Sequence, residues 1–196
     1  MRQRVGVFGG TFDPVHVGHL AIARAALDDH ALDVVTFVPA RRSPLKEAAP
    51  VAGEADRLEM LRCATADEPR FGVSPVEIER PGPSFTLATL ESLRGQGELF
   101  LILGSDALRD FARWQEPDRI LALATLLIAD RPGVPVPASS VPFVRFDAPS
   151  LDISSHELRL RAARGRSLRY LVPDPAWIYI EERGLYRATE QAPRTT

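Results

Sequence analysis

The first forty residues carry the pattern that most narrows what this chain can become. Val5-Gly6-Val7-Phe8 is a short apolar run halted by Gly9-Gly10, which reads as a buried strand running into a turn. From Gly18 to Asp29 the residues Leu20, Ile22, Ala23, Ala26 and Leu27 recur near helical spacing. Val34 to Val38, dense in β-branched residues and closed by Pro39, predicts a second strand. Strand, helix and strand joined this tightly form a βαβ unit, whose crossover is right-handed and whose ligands sit beyond the carboxyl ends of the strands. A site is therefore expected near Gly9 and Pro39.

The alternation continues along the chain. Glu54 to Ala66 places Ala55, Leu58, Leu61 and Ala64 on one helical face, and Val73 to Ile78 predicts a strand. Arg80-Pro81-Gly82-Pro83-Ser84 is a turn cluster, with Ser84 positioned to cap a helix carrying Leu87, Leu90 and Leu93 and stopping near Gly95. Leu99 to Leu103 is the most apolar strand candidate, and Gly104 ends it as Gly9 ends the first. Pro117 to Ala124 reads as helix, Leu126 to Ala129 as a central strand, and Arg131 to Pro142 as a proline-rich connection. The chain is mostly helical from Ser154. The fold class expected is α/β: a doubly wound, Rossmann-like parallel sheet with helices on both faces and a helical C-terminal part. We expect one domain over 1–187 and a loose tail over 188–196.

Composition removes several function classes. Apolar residues at 45% and charged residues at 26% are globular values, and Lys+Arg 24 against Asp+Glu 26 gives 24 − 26 = −2. No overall field would hold a nucleic acid, so any phosphate ligand must be bound locally. Cys63 alone provides neither a disulfide nor a multi-cysteine metal site. No apolar run approaches the ~20 residues that span a bilayer, so a cytoplasmic protein without membrane contact is expected. The oligomeric state is left open, a homo-oligomer included.

The densest chemical signal is Gly9-Gly10-Thr11-Phe12-Asp13-Pro14-Val15-His16-Val17-Gly18-His19, set between the first strand and the first helix, where backbone amides and the helix dipole favour an anion. It matches neither the lysine-terminated phosphate loop nor the spaced glycines of the dinucleotide fingerprint. His16 and His19 are close enough along the chain to point the same way and donate to phosphate oxygens, with Gly18 leaving room for a ligand. A zinc pair lacks a third ligand nearby. Asp13 before Pro14 reads as a turn former rather than a ligand, and His30 as a favourable charge at a helix end. Ser154 and Glu157 have the spacing of a capping box, and such a helix start is also an anion site that Arg159 can reach.

The stretch from Gly9 to His19 resembles the His-x-Gly-His signature of the nucleotidyltransferases that transfer a nucleoside monophosphate from a triphosphate. Within that superfamily the chain is similar to the bacterial nicotinate-nucleotide adenylyltransferases. The similarity rests on Pro39-Ala40 with Ser43-Pro44-Leu45-Lys46, Pro83-Ser84-Phe85-Thr86 with Thr89-Leu90, Gly104-Ser105-Asp106-Ala107-Leu108, Trp114, and Ile153-Ser154-Ser155 with Arg159. It covers nearly the whole chain apart from the tail.

The resemblance implies a reaction in which the phosphate of nicotinate mononucleotide attacks the α-phosphorus of ATP, with Mg2+ carried on the triphosphate and no protein nucleophile. It assigns catalysis to His16, His19, Lys46 and Arg159, with His19 stabilising charge at the α-phosphate. ATP would lie against Gly9, Gly10, Thr11, Phe12, His16, Gly18, His19, Gly104, Asp106, Ile153, Ser154, Ser155 and Arg159. Nicotinate mononucleotide would meet Thr11, Lys46, Phe85, Thr86, Asp106 and Trp114, the last stacking on its ring. The chain departs from the family pattern at His156, where a third hydroxyl is usual, and at Phe85, where tyrosine is. Three alternatives remain. They are a pantetheine-phosphate adenylyltransferase, usually shorter and with lysine where this chain has Arg159, a cytidylyltransferase, and a nucleotide-binding regulator without turnover.

Overall fold

The computed structural model describes residues 2–42, 48–130 and 140–188 of the chain. Its elements run β1 (Arg4–Gly10), α1 (Val17–Asp29), β2 (Val34–Pro39), α2 (Glu54–Thr65), β3 (Phe71–Val73), α3 (Val76–Glu79), α4 (Thr86–Leu93), β4 (Glu98–Gly104), α5 (Ser105–Asp110), α6 (Pro117–Leu123), β5 (Ala124–Asp130), β6 (Val144–Asp147), α7 (Ser155–Ala163) and α8 (Asp174–Arg183). A 3-10 turn, Phe111–Arg113, links α5 to α6. The strands form one parallel sheet in the order β3-β2-β1-β4-β5-β6. The expected doubly wound α/β fold is therefore the one adopted, and strand order reverses direction between β1 and β4.

Two apolar layers explain why the strands read as unbroken hydrophobic runs rather than alternating ones. Val5 and Val7 of β1, Leu99, Leu101 and Leu103 of β4, and Leu126 and Ile128 of β5 pack on one face with Leu87, Leu90 and Leu93 of α4 and Ile120 of α6. Their neighbours Phe8, Phe100, Ile102, Leu127 and Ala129 point the other way, onto Ala23, Ala26 and Leu27 of α1, Met60 and Leu61 of α2, and Leu158, Ala176 and Ile180 of α7 and α8. A one-residue register slip would exchange these two sets.

Several sequence expectations are corrected. The strand expected over Val73–Ile78 is instead β3 followed by the turn of helix α3. The ladder continues to Ser74, whose N–H donates to the Phe37 carbonyl at 2.9 Å, and then meets Pro75, which has no N–H to give. Strand β6 was not anticipated. Of its four residues only Phe146 is buried, so a short edge strand leaves almost no periodic signal.

Ser84 does not cap α4. The N-cap is Phe85, and the Ser84 hydroxyl accepts from the Arg41 N–H at 2.9 Å. The buried face of α2 is Arg57, Met60, Leu61 and Thr65, while Ala55 is exposed, because polar contacts draw Arg57 inward. Finally, burial lowers the pKa of His30, against the pull of Asp29, and Arg4 supplies the cationic donor to the His30 carbonyl at 3.3–3.4 Å. The α1 end is thus neutralised by Arg4 and not by a protonated His30. Lys46, most of the Arg131–Pro142 connection and the tail beyond Ala188 lie outside the described residues. Among the described residues no helix is long and apolar enough to cross a membrane.

Candidate active site

The carboxyl ends of β1, β2 and β4 open on a cleft of about 440 Å³, where strand order reverses. Gly9, Gly10 and Thr11 form one wall, and Phe85, Thr86, Ala107 and Trp114 line the rest. Helix α4 starts on this cleft with no side chain capping it, so its first amides face a place where a carboxylate would be favoured. Trp114 leans on Phe111 with ring centroids 5.3 Å apart, and its buried Nε1 has no partner among the described residues. Gly104 ends β4, and Asp106 follows in the first turn of α5 as an exposed carboxylate 3.7 Å from Arg109.

On the other side of the Gly9–Thr11 strand end, the His16–His19 segment enters α1. The two imidazoles stack, with centroids 3.7 Å apart and planes at 29°. The His16 N–H donates to His19 Nδ1 at 3.2 Å, so Nδ1 is unprotonated and the His19 proton sits on Nε2. Phe12 takes a left-handed φ of 48° and is 1% exposed, its ring meeting His19 edge-on at 5.0 Å. The Phe12 ring therefore supports His19 from the core rather than facing a ligand.

Gly18 works differently from the expectation of room for a ligand. A Cβ there would come 3.1 Å from both His16 Nδ1 and Ile153 Cγ2, so its absence lets the histidine and Ile153 close on the helix start. At Gly10 a Cβ would strike the Phe12 ring at 2.8 Å.

His16 is 7% exposed, and burial pulls its pKa down from 6.5 to about 4, so it is neutral near pH 7. The unfolded chain takes up this proton as pH falls below 6.5, whereas the folded one resists until about 4. Stability should consequently drop across that window, by about 3 kcal/mol from this group. Urea midpoints measured from pH 7 to pH 4 should fall less steeply in His16→Asn; an unchanged slope would contradict the burial effect.

Helix α7 brings the remaining residues to the same loop. Ser154 caps it, accepting from the Glu157 N–H at 3.2 Å, as the spacing implied. Ser155 donates to the Pro14 carbonyl at 2.9 Å, and Arg159 Nη1 to the Asp13 carbonyl at 2.7 Å. His156 is exposed. The structure thus gathers His16, Gly18, His19, Ile153, Ser154, Ser155 and Arg159 around the α1 start, and Thr11, Phe85, Thr86 and Trp114 around the cleft.

Sequence reasoning missed what holds this loop in place. Asp13 is buried, with Oδ2 accepting from the Val51 N–H at 2.7 Å and Oδ1 from the Ala52 N–H at 3.0 Å and the Tyr186 hydroxyl at 2.7 Å. Both oxygens are thus engaged within the fold. Arg57, 0% exposed, donates from Nη1 to the Thr11 and Ala40 carbonyls at 2.9 and 2.6 Å and from Nη2 to the Arg41 carbonyl at 3.4 Å. Arg57 stands among Glu54, Asp56, Glu59 and Arg62 on a polar helix, so nothing local in the sequence distinguished it.

The Cytidylyltransferase-like family model matches residues 7–161. The "Probable nicotinate-nucleotide adenylyltransferase" of Thermus thermophilus is 48% identical over 188 residues, covering 94% of this chain and all of its own length. That of a Roseiflexus species is 47% identical over 194 residues, covering 93% and 98%. The chain belongs to the nicotinate-nucleotide adenylyltransferase family. Its fold also matches the nicotinic acid mononucleotide adenylyltransferase of Plasmodium falciparum in complex with NaAD, with TM-score 0.72 and 18% identity over 94% of this chain and 97% of that one.

Proposed function

We propose that this family member transfers the adenylyl group of ATP to nicotinate mononucleotide, and that the residues around the α1 start and the cleft divide the work. The observation that carries the division is the two-sided arrangement about Gly9–Thr11: phosphate donors on one side, an aromatic-lined cleft on the other. The nicotinate ring lies in the cleft against Trp114 and Phe85, with Thr86 and the uncapped α4 start meeting its carboxylate. ATP lies across the α1 start, where its triphosphate meets Arg159, Ser154 and the histidines.

The acceptor phosphate oxygen forms a bond to the α-phosphorus while the α–β bridging bond breaks and pyrophosphate leaves. Because both reactants are anions, positioning and charge neutralisation supply the catalysis. His19 donates from Nε2 to the α-phosphate oxygen, its orientation fixed by the His16 N–H on Nδ1 and the Phe12 ring behind it. Neutral His16 adds a packing surface for His19. Lys46, outside the described residues, would add a further cation, and Arg159 holds the outer phosphates.

Magnesium fits as a passenger on the triphosphate. Among the described residues no three His, Cys, Asp or Glu side chains cluster as metal ligands, and exposed Asp106 at the α5 start is the carboxylate to assist it. Bound there, the ion would neutralise the leaving pyrophosphate.

Pyrophosphate release by the purified protein, with ATP and magnesium, tests the reading. Nicotinate mononucleotide should be the best acceptor, ahead of nicotinamide mononucleotide and phosphopantetheine. Release with phosphopantetheine alone, or ATP binding without release on any acceptor, would overturn it.

A further inference from the structure

We infer that Tyr186, at the far end of the chain, is a positioning residue for Arg159, keeping its guanidinium available to the triphosphate by occupying the Asp13 carboxylate. This rests on the assignment of Arg159 to the ATP phosphates.

Three groups meet at one point. Asp13 Oδ1 receives the Tyr186 hydroxyl at 2.7 Å and the Ala52 N–H at 3.0 Å, while Oδ2 receives the Val51 N–H at 2.7 Å. Arg159 Nη1 donates to the Asp13 main-chain carbonyl at 2.7 Å yet stays 3.8 Å from Oδ2. An arginine this near a buried carboxylate would ordinarily close on it as a bidentate pair, and such a pair would withdraw both prongs of the fork from any phosphate. Here the carboxylate already holds three donors, so Arg159 reaches it only as a loose ion pair at 3.8 Å, and its one hydrogen bond goes to the neutral Asp13 carbonyl. Its remaining donors carry no partner among the described residues, and its side chain is 27% exposed.

Tyr186 suits this role for reasons independent of Arg159. It is buried at 8% exposure, its hydroxyl also lying 3.8 Å from Met60 Sδ. Burial first, then the Asp13 charge, push its pKa far up, so it remains a donor at every working pH. Pairing a carboxylate with a neutral donor also avoids adding a cation that would compete with Arg159 for the incoming triphosphate. Arg57 stays occupied with the Thr11, Ala40 and Arg41 carbonyls and does not fill this place.

Tyr186→Phe keeps the ring and its packing and removes only the donor. Freed from it, Oδ1 retains one amide, and Asp13 draws Arg159 toward itself. We expect KM for ATP to rise about tenfold, the size of one hydrogen bond to a charged group, with KM for nicotinate mononucleotide unchanged. In an Arg159→Ala background the same substitution should have almost no further effect on KM for ATP, because the group it positions is gone. Met60→Ala, which loosens the same pocket and removes the sulfur beside the hydroxyl but leaves the hydroxyl free to donate to Asp13, should lower the thermal midpoint at least as much while leaving KM for ATP unchanged.

A rise in KM for both substrates in Tyr186→Phe, an equal rise in Met60→Ala, or additive effects with Arg159→Ala would each overturn the inference and leave Arg159 as a phosphate ligand. Arg159→Ala with unaltered kcat and KM for ATP would instead remove the premise, and with it the assignment of Arg159, whatever Tyr186→Phe does.

Discussion

His19→Ala should leave a folded protein whose kcat falls by about a hundred- to ten-thousand-fold, with KM for both substrates changed far less. The imidazole sits at the α1 start with its proton directed to Nε2 by the His16 N–H on Nδ1, and the donor it presents is aimed at charge that grows only as the α-phosphorus is attacked. A donor of that kind acts on the transition state, so its loss appears in kcat. Alanine removes the stacking partner of His16 and an edge contact of Phe12, yet the Phe12 ring remains packed by Phe8 and Phe37. Steady-state pyrophosphate release together with circular dichroism decides the matter. Near-normal kcat in a folded variant would show that charge at the α-phosphate is met elsewhere.

The second large effect is structural. Arg57→Met should destabilise the protein by about 3–5 kcal/mol, the range for removing one member of a buried charged network. Methionine fills the space along α2 but offers no donor, which leaves the Thr11, Ala40 and Arg41 carbonyls without the guanidinium that joins them and deprives Asp13 of a compensating charge. Since domains of this size are stable by only ~5–15 kcal/mol, the urea midpoint should shift far down. A midpoint within the experimental scatter of the parent would mean that water satisfies those carbonyls as well as the arginine does.

These two residues also mark the border of what the sequence reveals. His19 stands within a contiguous stretch whose glycines and histidines are dense enough to announce a phosphate site, and the apolar runs Leu99–Leu103 and Leu126–Ala129 announce strands buried on both faces. Arg57 and Tyr186 have no such company. Each is ordinary among its chain neighbours and acquires meaning only against carbonyls or a carboxylate contributed from elsewhere, as with Tyr186 and Asp13, 173 residues apart. Ser84 and His30 show the converse failure. Their local patterns fit a cap and a charged helix end, and tertiary partners took them for other uses: the Arg41 N–H in one case, a half-buried place against the Phe146 ring in the other. Pro75 could have limited the third strand from sequence alone, since a missing donor stops a ladder wherever it falls.

The long reach of the Asp13 contact bears on how the protein is made. The nucleotide loop leaves the ribosome 173 residues ahead of the Tyr186 hydroxyl that completes its buried bracket. Sheet strands β1 to β5 and their helices can assemble beforehand, leaving Asp13 partly unmatched until α8 docks against α2 and delivers Tyr186. Full grip on the triphosphate therefore comes late, so a nascent chain would hold the enzyme's outline before it could bind ATP with full strength.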